Sequence, residues 1–318
     1  SCTGLYNIHE FCWNVQSLVQ AGITSRLLSE TVETDYTKYH EGNFPEFLAR
    51  GTPITIGASD GCLANLGSMA HIPGTAAMTI GTSGALRLAS SKPLLDERSM
   101  TFSYVLDRNT FICGGPINNG GIALQWWLKN NAQSEMDTQS YEEAIAEIAE
   151  IPAGSKGLIF LPYLTGERAP IWDSESWGVF FGMRLIHTKA YFLRSILEGI
   201  CFAMKDVLST IASHHSPVTT VHVSGGFVTS KPWLQLMADI TGENLVLIQE
   251  EDASAVGAAL ITLKTIGFIE DYPICESSGV ETIRPDEKNR KVYDEYFSVY
   301  KQLYLDLRQT MHRAYTYK

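Results

Sequence analysis

The first stretch able to do chemistry is Gly57-Ala58-Ser59-Asp60-Gly61, which follows the apolar run Ile54-Thr55-Ile56. That run reads as a buried strand, so the turn sets Asp60 at the mouth of a sheet, where open α/β sheets bind ligands. A carboxylate there can take the proton of a hydroxyl whose oxygen attacks phosphorus. It can equally cap the helix that follows, through that helix's backbone N–H groups. The same residues also spell G-x-S-x-G between a strand and a helix, the setting of a nucleophile elbow with Ser59 as nucleophile. A hydrolase would need an acid and a histidine downstream. His215 and His312 are available, but no loop motif surrounds them and no H-G-G-G run precedes Ser59.

Three glycine-rich turns follow. Gly81-Thr82-Ser83-Gly84 reads as a hairpin tip. Its N–H groups and two hydroxyls could approach phosphate oxygens, or the turn is an ordinary hairpin. Asn118-Asn119-Gly120-Gly121 opens a helix carrying Gln125 and Trp126. The dipole and free N–H groups of such a start favour an anion, and Asn capping alone would also account for it. Ser224-Gly225-Gly226, with Ser230 opening the next helix, offers a flat surface for a purine or simply a tight strand-to-helix turn. There is no G-x-x-x-x-G-K-[ST], which excludes a P-loop kinase, and no G-x-G-x-x-G to support a dinucleotide site.

Periodicity supplies the elements that must position these turns. Strands are expected at 76–80, 85–89, 102–106, 110–113, 158–161, 220–223 and 245–248. Helices are expected at 15–21, 25–31, 62–70, 121–130, 140–151, 232–241, 253–266 and 286–313. Thr188 should cap a long helix reaching Ser213, with apolar residues spaced by three and four along one core-facing stripe. Strand groups feeding helices indicate an α/β class. His214-His215 and the Glu142, Glu143, Glu147 face read as helix-end and solvated-surface features.

Composition narrows the function classes. The chain has 318 residues, 45% hydrophobic and 19% charged, an ordinary globular balance. A net charge of -11 and the lack of any long Lys/Arg run argue against nucleic-acid binding. No apolar stretch is long enough to span a membrane. The six cysteines are scattered, with no C-x-x-C pair, which suggests a reducing compartment and a cytoplasmic location rather than disulfides or a zinc ribbon.

Each turn is a weak signal alone, but their order is not. The series from the Asp60 turn through G-T-S-G, G-G-x-x-L-Q-W, G-E-R-x-P and G-G resembles the second lobe of the FGGY carbohydrate kinases. Ile159 to Pro170 (I-F-L-P-Y-L-T-G-E-R-A-P), Gly178 to Met183 and Ser195-Ile196-Leu197-Glu198 carry the resemblance most specifically; Tyr191 departs from the family pattern. The resemblance implies a ribonuclease-H-like, actin-like ATPase fold. It implies Asp60 as catalytic base, with Asp60 and Gly61 at the substrate. It also implies nucleotide contacts from Gly81, Thr82, Ser83, Gly121, Gln125, Gly225, Gly226 and Ser230, although many relatives have Asn in place of Ser230. Ser59 is then a turn residue. ATP and Mg²⁺ are the implied cofactors, and a sugar or sugar acid the implied partner. Gly166-Glu167-Arg168-Ala169-Pro170-Ile171-Trp172 and Gly225 to Trp233 look most like gluconate kinases, with xylulose kinases similar. The family's first lobe carries a D-x-G-T loop that is absent here. Residues 1–48 are therefore expected to be the tail of that lobe and 49–318 the second lobe. The missing lobe would be needed for activity, a homodimer is possible, and a non-catalytic nucleotide-binding module is the other class.

Overall fold

The chain enters through short elements. The computed structural model describes residues 3–42, 47–94, 101–131, 145–213, 217–248, 252–275 and 280–316. It begins with the ribbon β1 (Tyr6–Asn7) and β2 (Cys12–Trp13), followed by α1 (Val15–Gln20). The Asn14 side chain accepts from the Ser17 N–H and caps α1. The helix expected at 25–31 is only a 3-10 turn, Ser25–Leu27, because Thr24 makes no capping bond and the chain is extended again at Leu28.

A second ribbon pairs β3 (Thr37–Tyr39) with β4 (Pro53–Thr55). This corrects the buried strand expected at Ile54-Thr55-Ile56. Paired only with β3, it leaves Ile54 and Ile56 45% and 62% exposed. A three-residue apolar run cannot by itself distinguish a ribbon from a central strand.

After α2 (Asp60–Gly67) the main sheet begins. Its strands are β5 (Thr75–Ile80), β6 (Gly84–Ser90), β7 (Phe102–Asp107) and β8 (Thr110–Ile117). Helix α3 (Gly121–Asn131) follows. Of the helix expected at 140–151, residues 140–144 lie outside the described residues, and a 3-10 turn occupies Ile148–Glu150. A side ribbon pairs β9 (Ile159–Leu161) with β10 (Val179–Phe181). Then come α4 (Lys189–Ala212), β11 (Thr220–Ser224), α5 (Lys231–Thr241), β12 (Asn244–Leu247), α6 (Ala253–Thr265), β13 (Thr282–Ile283) and α7 (Glu287–Tyr315).

The main sheet has seven strands in the order β13-β12-β11-β5-β6-β8-β7. β12, β11 and β5 run parallel, and the remaining neighbours are antiparallel. Alternate residues separate two cores. Leu86, Leu88 and Cys113 join the larger one with α3, α4, α5 and α7. Ile112 and Leu106 join the smaller one with Cys62 and Leu66 of α2 and Leu260 and Ile261 of α6. The result is helix, sheet, helix in three layers.

Helix α4 departs from its expected single stripe: every residue from Leu193 to Leu208 is buried. The sheet covers one side, and α5 and the β9 ribbon close the others. Its polar residues survive burial because they are paired. Arg194 Nε donates to Glu198 at 3.0 Å, and the Tyr293 hydroxyl donates to the same carboxylate at 2.8 Å. Lys205 reaches Asp294 and Lys301 reaches Asp206, so α7 is tied along α4 by charge as well as by apolar contact. Burial pushes the Glu198 and Asp206 carboxyls above the usual range, against the pull of those cations.

Candidate active site

The three glycine turns gather at one end of the sheet. β5 and β11 are parallel neighbours, with Thr79 beside Ser224 in register and their hydroxyls 3.0 Å apart. Beyond them the chain turns at Gly81 and at Gly225. Gly225 has φ +97°, and a Cβ there would lie 2.5 Å from the Ile80 carbonyl oxygen, so only glycine fits. Around Gly226 the space is open within 4 Å. Thr82 and Ser83 are exposed at the hairpin tip.

Helix α3 docks directly on that hairpin. The Gly121 N–H donates to the Gly81 carbonyl at 2.7 Å, and the Ile122 N–H to the Thr82 carbonyl at 3.1 Å. A Cβ on Gly121 would sit 2.7 Å from the Gly81 oxygen. The two N–H groups expected to be free for an anion are therefore spent inside the protein. What they produce is a fixed hairpin tip. Gln125, one turn further along the face of Gly121, is exposed beside it. Ser230 is buried and caps α5, its Oγ accepting from the Trp233 N–H at 3.4 Å. Gly226, not Ser230, meets open space.

Asp60 lies on the other face of the sheet, as the first residue of α2. Ser59 holds the N-cap position, so Asp60 is not the cap. The Asp60 carboxylate is exposed at the positive end of the helix and, among the described residues, accepts only from the Gly61 N–H at 2.7 Å. Its own carbonyl accepts from Ser254 of α6 at 3.3 Å. Ser59 Oγ is buried without a partner among the described residues. His312 instead sits on α7, 2.8 Å from Asp173, and His215 lies outside the described residues. No described histidine is bonded to Ser59, which leaves the hydrolase reading without a base among the described residues.

The sequence model of the FGGY family of carbohydrate kinases, C-terminal domain, matches residues 76–265. The chain belongs to this family. A gluconokinase of Bacillus licheniformis is 36% identical over 99% of the chain, and the chain spans 63% of that protein's length. Among solved structures, a gluconate kinase from Lactobacillus acidophilus superposes with a TM-score of 0.87 at 30% identity, covering 96% of this chain and 62% of that one. A ligand-bound xylulose kinase from the same organism gives 0.88 at 29%, covering 98% and 64%. The fold is accordingly the ribonuclease-H-like, actin-like one, and the three-layer mixed sheet is its expression here.

Two FGGY-lobe residues had no role assigned from sequence. Glu167 is 3% exposed and accepts from the N–H groups of Asn118 and of Arg168 (2.8 Å) and from Asn119 Nδ2 (3.1 Å). Asn119 Oδ1 in turn accepts from the Thr165 N–H and hydroxyl at 3.2 and 3.1 Å. Arg168 Nη2 donates to the Ile117 carbonyl at 3.0 Å. The G-E-R loop thus clamps the turn that feeds α3, and through α3 the Gly81 hairpin. Burial raises the Glu167 carboxyl above its usual range although every one of these partners is a donor that favours its charge. The loop is itself anchored. Glu167 and Asp173 exchange backbone hydrogen bonds at 2.9 Å, and the Asp173 carboxylate accepts from Tyr304 at 2.9 Å. Burial works to raise Asp173, but the His312 and Tyr304 hydrogen bonds win and hold it low.

The second residue is Arg87, between Leu86 and Leu88 on β6. Its neighbours enter the larger core, so its side chain faces α2. A Cβ on Gly61 would stand 3.2 Å from its Nε. The available signal was a charged residue at the alternate position of an apolar strand. A separate cleft of about 670 Å³ is lined by Glu33, Asp35, Asp107, Arg108, Lys264 and Tyr272 among others. It opens at the opposite end of β8 and includes none of the expected site residues. No helix among the described residues is long and apolar enough to cross a membrane.

Proposed function

We propose that this chain holds ATP and supplies the general base of an enzyme that phosphorylates a sugar-acid hydroxyl, with gluconate as acceptor and 6-phosphogluconate as product. The observation that carries the reading is an exposed carboxylate, Asp60, at a helix start in a chain that is 36% identical to a gluconokinase over 99% of its length. The relatives are longer, so the reaction belongs to an enzyme with a second lobe facing this one; residues 1–48 are read as its tail and 49–318 as the lobe described here.

In this reading adenosine lies over Gly225 and Gly226, where open space meets backbone. The phosphates lie along Gly81, Thr82 and Ser83, with Gln125 and the α3 start at their side. Asp60 accepts the proton of the acceptor hydroxyl while that oxygen bonds to the γ-phosphorus and the bond to the β-phosphate oxygen breaks, releasing ADP. Little covalent work falls to the protein, so fixed placement and charge carry the acceleration. The rigid hairpin is suited to that task. Mg²⁺ would neutralise phosphate charge, but no group of three His, Cys, Asp or Glu side chains converges among the described residues. Asp60 alone does not make a metal site, and no step is assigned to the ion.

The test is ADP release by the full-length enzyme with gluconate, xylulose and glycerol. A response to gluconate well above the others supports the reading. A response to xylulose alone favours the second acceptor, which the likeness to xylulose kinases keeps in view. ATP binding with no acceptor-dependent ADP would mean a non-catalytic nucleotide module.

A further inference from the structure

Arg87 is unexplained by the fold. Its Nε is buried and makes no hydrogen bond, and no ion pair to its guanidinium forms among the described residues. Burial pulls its pKa down, with Asp60 as the chief opposing influence. A Cβ on Gly61, the residue after Asp60, would stand 3.2 Å from the Arg87 Nε, yet Arg87 and Asp60 close no salt bridge. A buried cation without a partner is costly. A leucine or methionine on the same strand would fill the space without that cost. Among the described residues no carboxylate, Asp60 included, forms an ion pair with Arg87. Part of the side chain still reaches the surface, on the same side of the sheet as Asp60.

A guanidinium is a planar fork of donors that matches a carboxylate with two parallel hydrogen bonds. Resting on the reading of Asp60 as base, we infer that Arg87 selects the acceptor: it receives the carboxylate of a sugar acid while Asp60 addresses a hydroxyl of the same molecule. The gap between Arg87 and Asp60 is then part of the acceptor site, and the acid completes a charge pair that the protein leaves open. A neutral sugar would leave the cation unpaired and bind less well.

The experiment compares gluconate with glucitol, the same carbon chain with a hydroxymethyl group in place of the carboxylate, on the full-length enzyme. Arg87→Gln should raise KM for gluconate about 10- to 100-fold, the factor carried by hydrogen bonds to a charged group. Glucitol, which makes no pair with the guanidinium, should lose no affinity, so the preference for the acid collapses. Arg87→Lys keeps the charge but not the fork and should fall between. Equal losses in kcat for both acceptors, with KM unchanged, would mean that Arg87 acts through Asp60 and would overturn the assignment. Calorimetric binding of both compounds to the Asp60→Asn enzyme makes the same comparison without turnover. If Asp60→Asn still turns over, the base reading fails, and the binding comparison with and without Arg87 still decides the present one.

Discussion

Gly121→Ala is the sharpest structural test of how the Gly81 end of the sheet is built. The added Cβ would lie 2.7 Å from the Gly81 carbonyl oxygen, a backbone atom that cannot swing aside. Relief requires α3 to lift from the hairpin, which loses the Gly121 and Ile122 hydrogen bonds to Gly81 and Thr82. Two such bonds are worth about 1–3 kcal/mol together, and overpacking adds about 1–3 kcal/mol. Alanine's better helix propensity returns less than about 1 kcal/mol. The net expectation is a loss of roughly 2–5 kcal/mol, read as the shift in a urea unfolding midpoint at unchanged slope. Gly226→Ala is the matched control, since nothing lies within 4 Å of its Cβ position. It should leave the unfolding curve in place and weaken ADP binding if adenosine rests there. A Gly121→Ala protein as stable as the wild type would refute the claim that α3 and the hairpin form one rigid piece.

Other consequences follow from the buried carboxylates. Glu167→Gln sets an amide NH2 against one of the N–H donors that the carboxylate accepts from, so donor faces donor. It should raise KM for ATP by about tenfold through the loosened turn, roughly one charged hydrogen bond, and leave KM for the acceptor unchanged. Steady-state kinetics varying each substrate checks this. Glu198→Ala strands the Arg194 guanidinium and should cost about 3–5 kcal/mol in chemical unfolding without a selective change in KM for ATP. Burial pushes the Glu243 carboxyl from 4.5 up to about 7, opposed by Arg290 and Lys205. The folded state therefore keeps a proton that the unfolded state gives up, so this group's stabilisation is full below pH 4.5 and is lost as pH rises toward about 7. Stability curves of wild type and Glu243→Gln across that window should differ in slope in that direction, the variant being flatter.

Much of the architecture was legible because its signals are local. Small and branched residues flanking Gly81-Thr82-Ser83 could only make two strands and a turn, and β5 and β6 are found there. Asp286 ends an acidic-capped start for α7, close to where periodicity set it. Two of the misreadings share a cause, which is contact between distant residues. Helix α4 carries Arg194, Glu198, Lys205 and Asp206 in the positions of a solvated face, but α7 covers them and pairs with them. The α3 start offers apparently free N–H groups until Gly81, some forty residues earlier, is found accepting one of them. Ser59 was expected within a turn, and its place at the N-cap starts α2 two residues sooner than apolar spacing suggests. At the site, Asp60 and the glycines announce themselves by motif. Glu167 and Arg87 do not, because a carboxylate is a clamp and a guanidinium is an unpaired cation only once their surroundings are known.

Asp60 is proposed as the base in transfer of a phosphoryl group to a sugar acid. The most direct measurement follows label from γ-³²P ATP into gluconate for the full-length enzyme and its Asp60→Asn variant, with ADP affinity measured in parallel. The expected result is labelled phosphogluconate from the wild type, a loss of about 10²–10⁴ in the rate for the variant, and unchanged ADP affinity. Wild-type transfer by Asp60→Asn would contradict it and leave Asp60 as no more than a favourable charge at the start of α2.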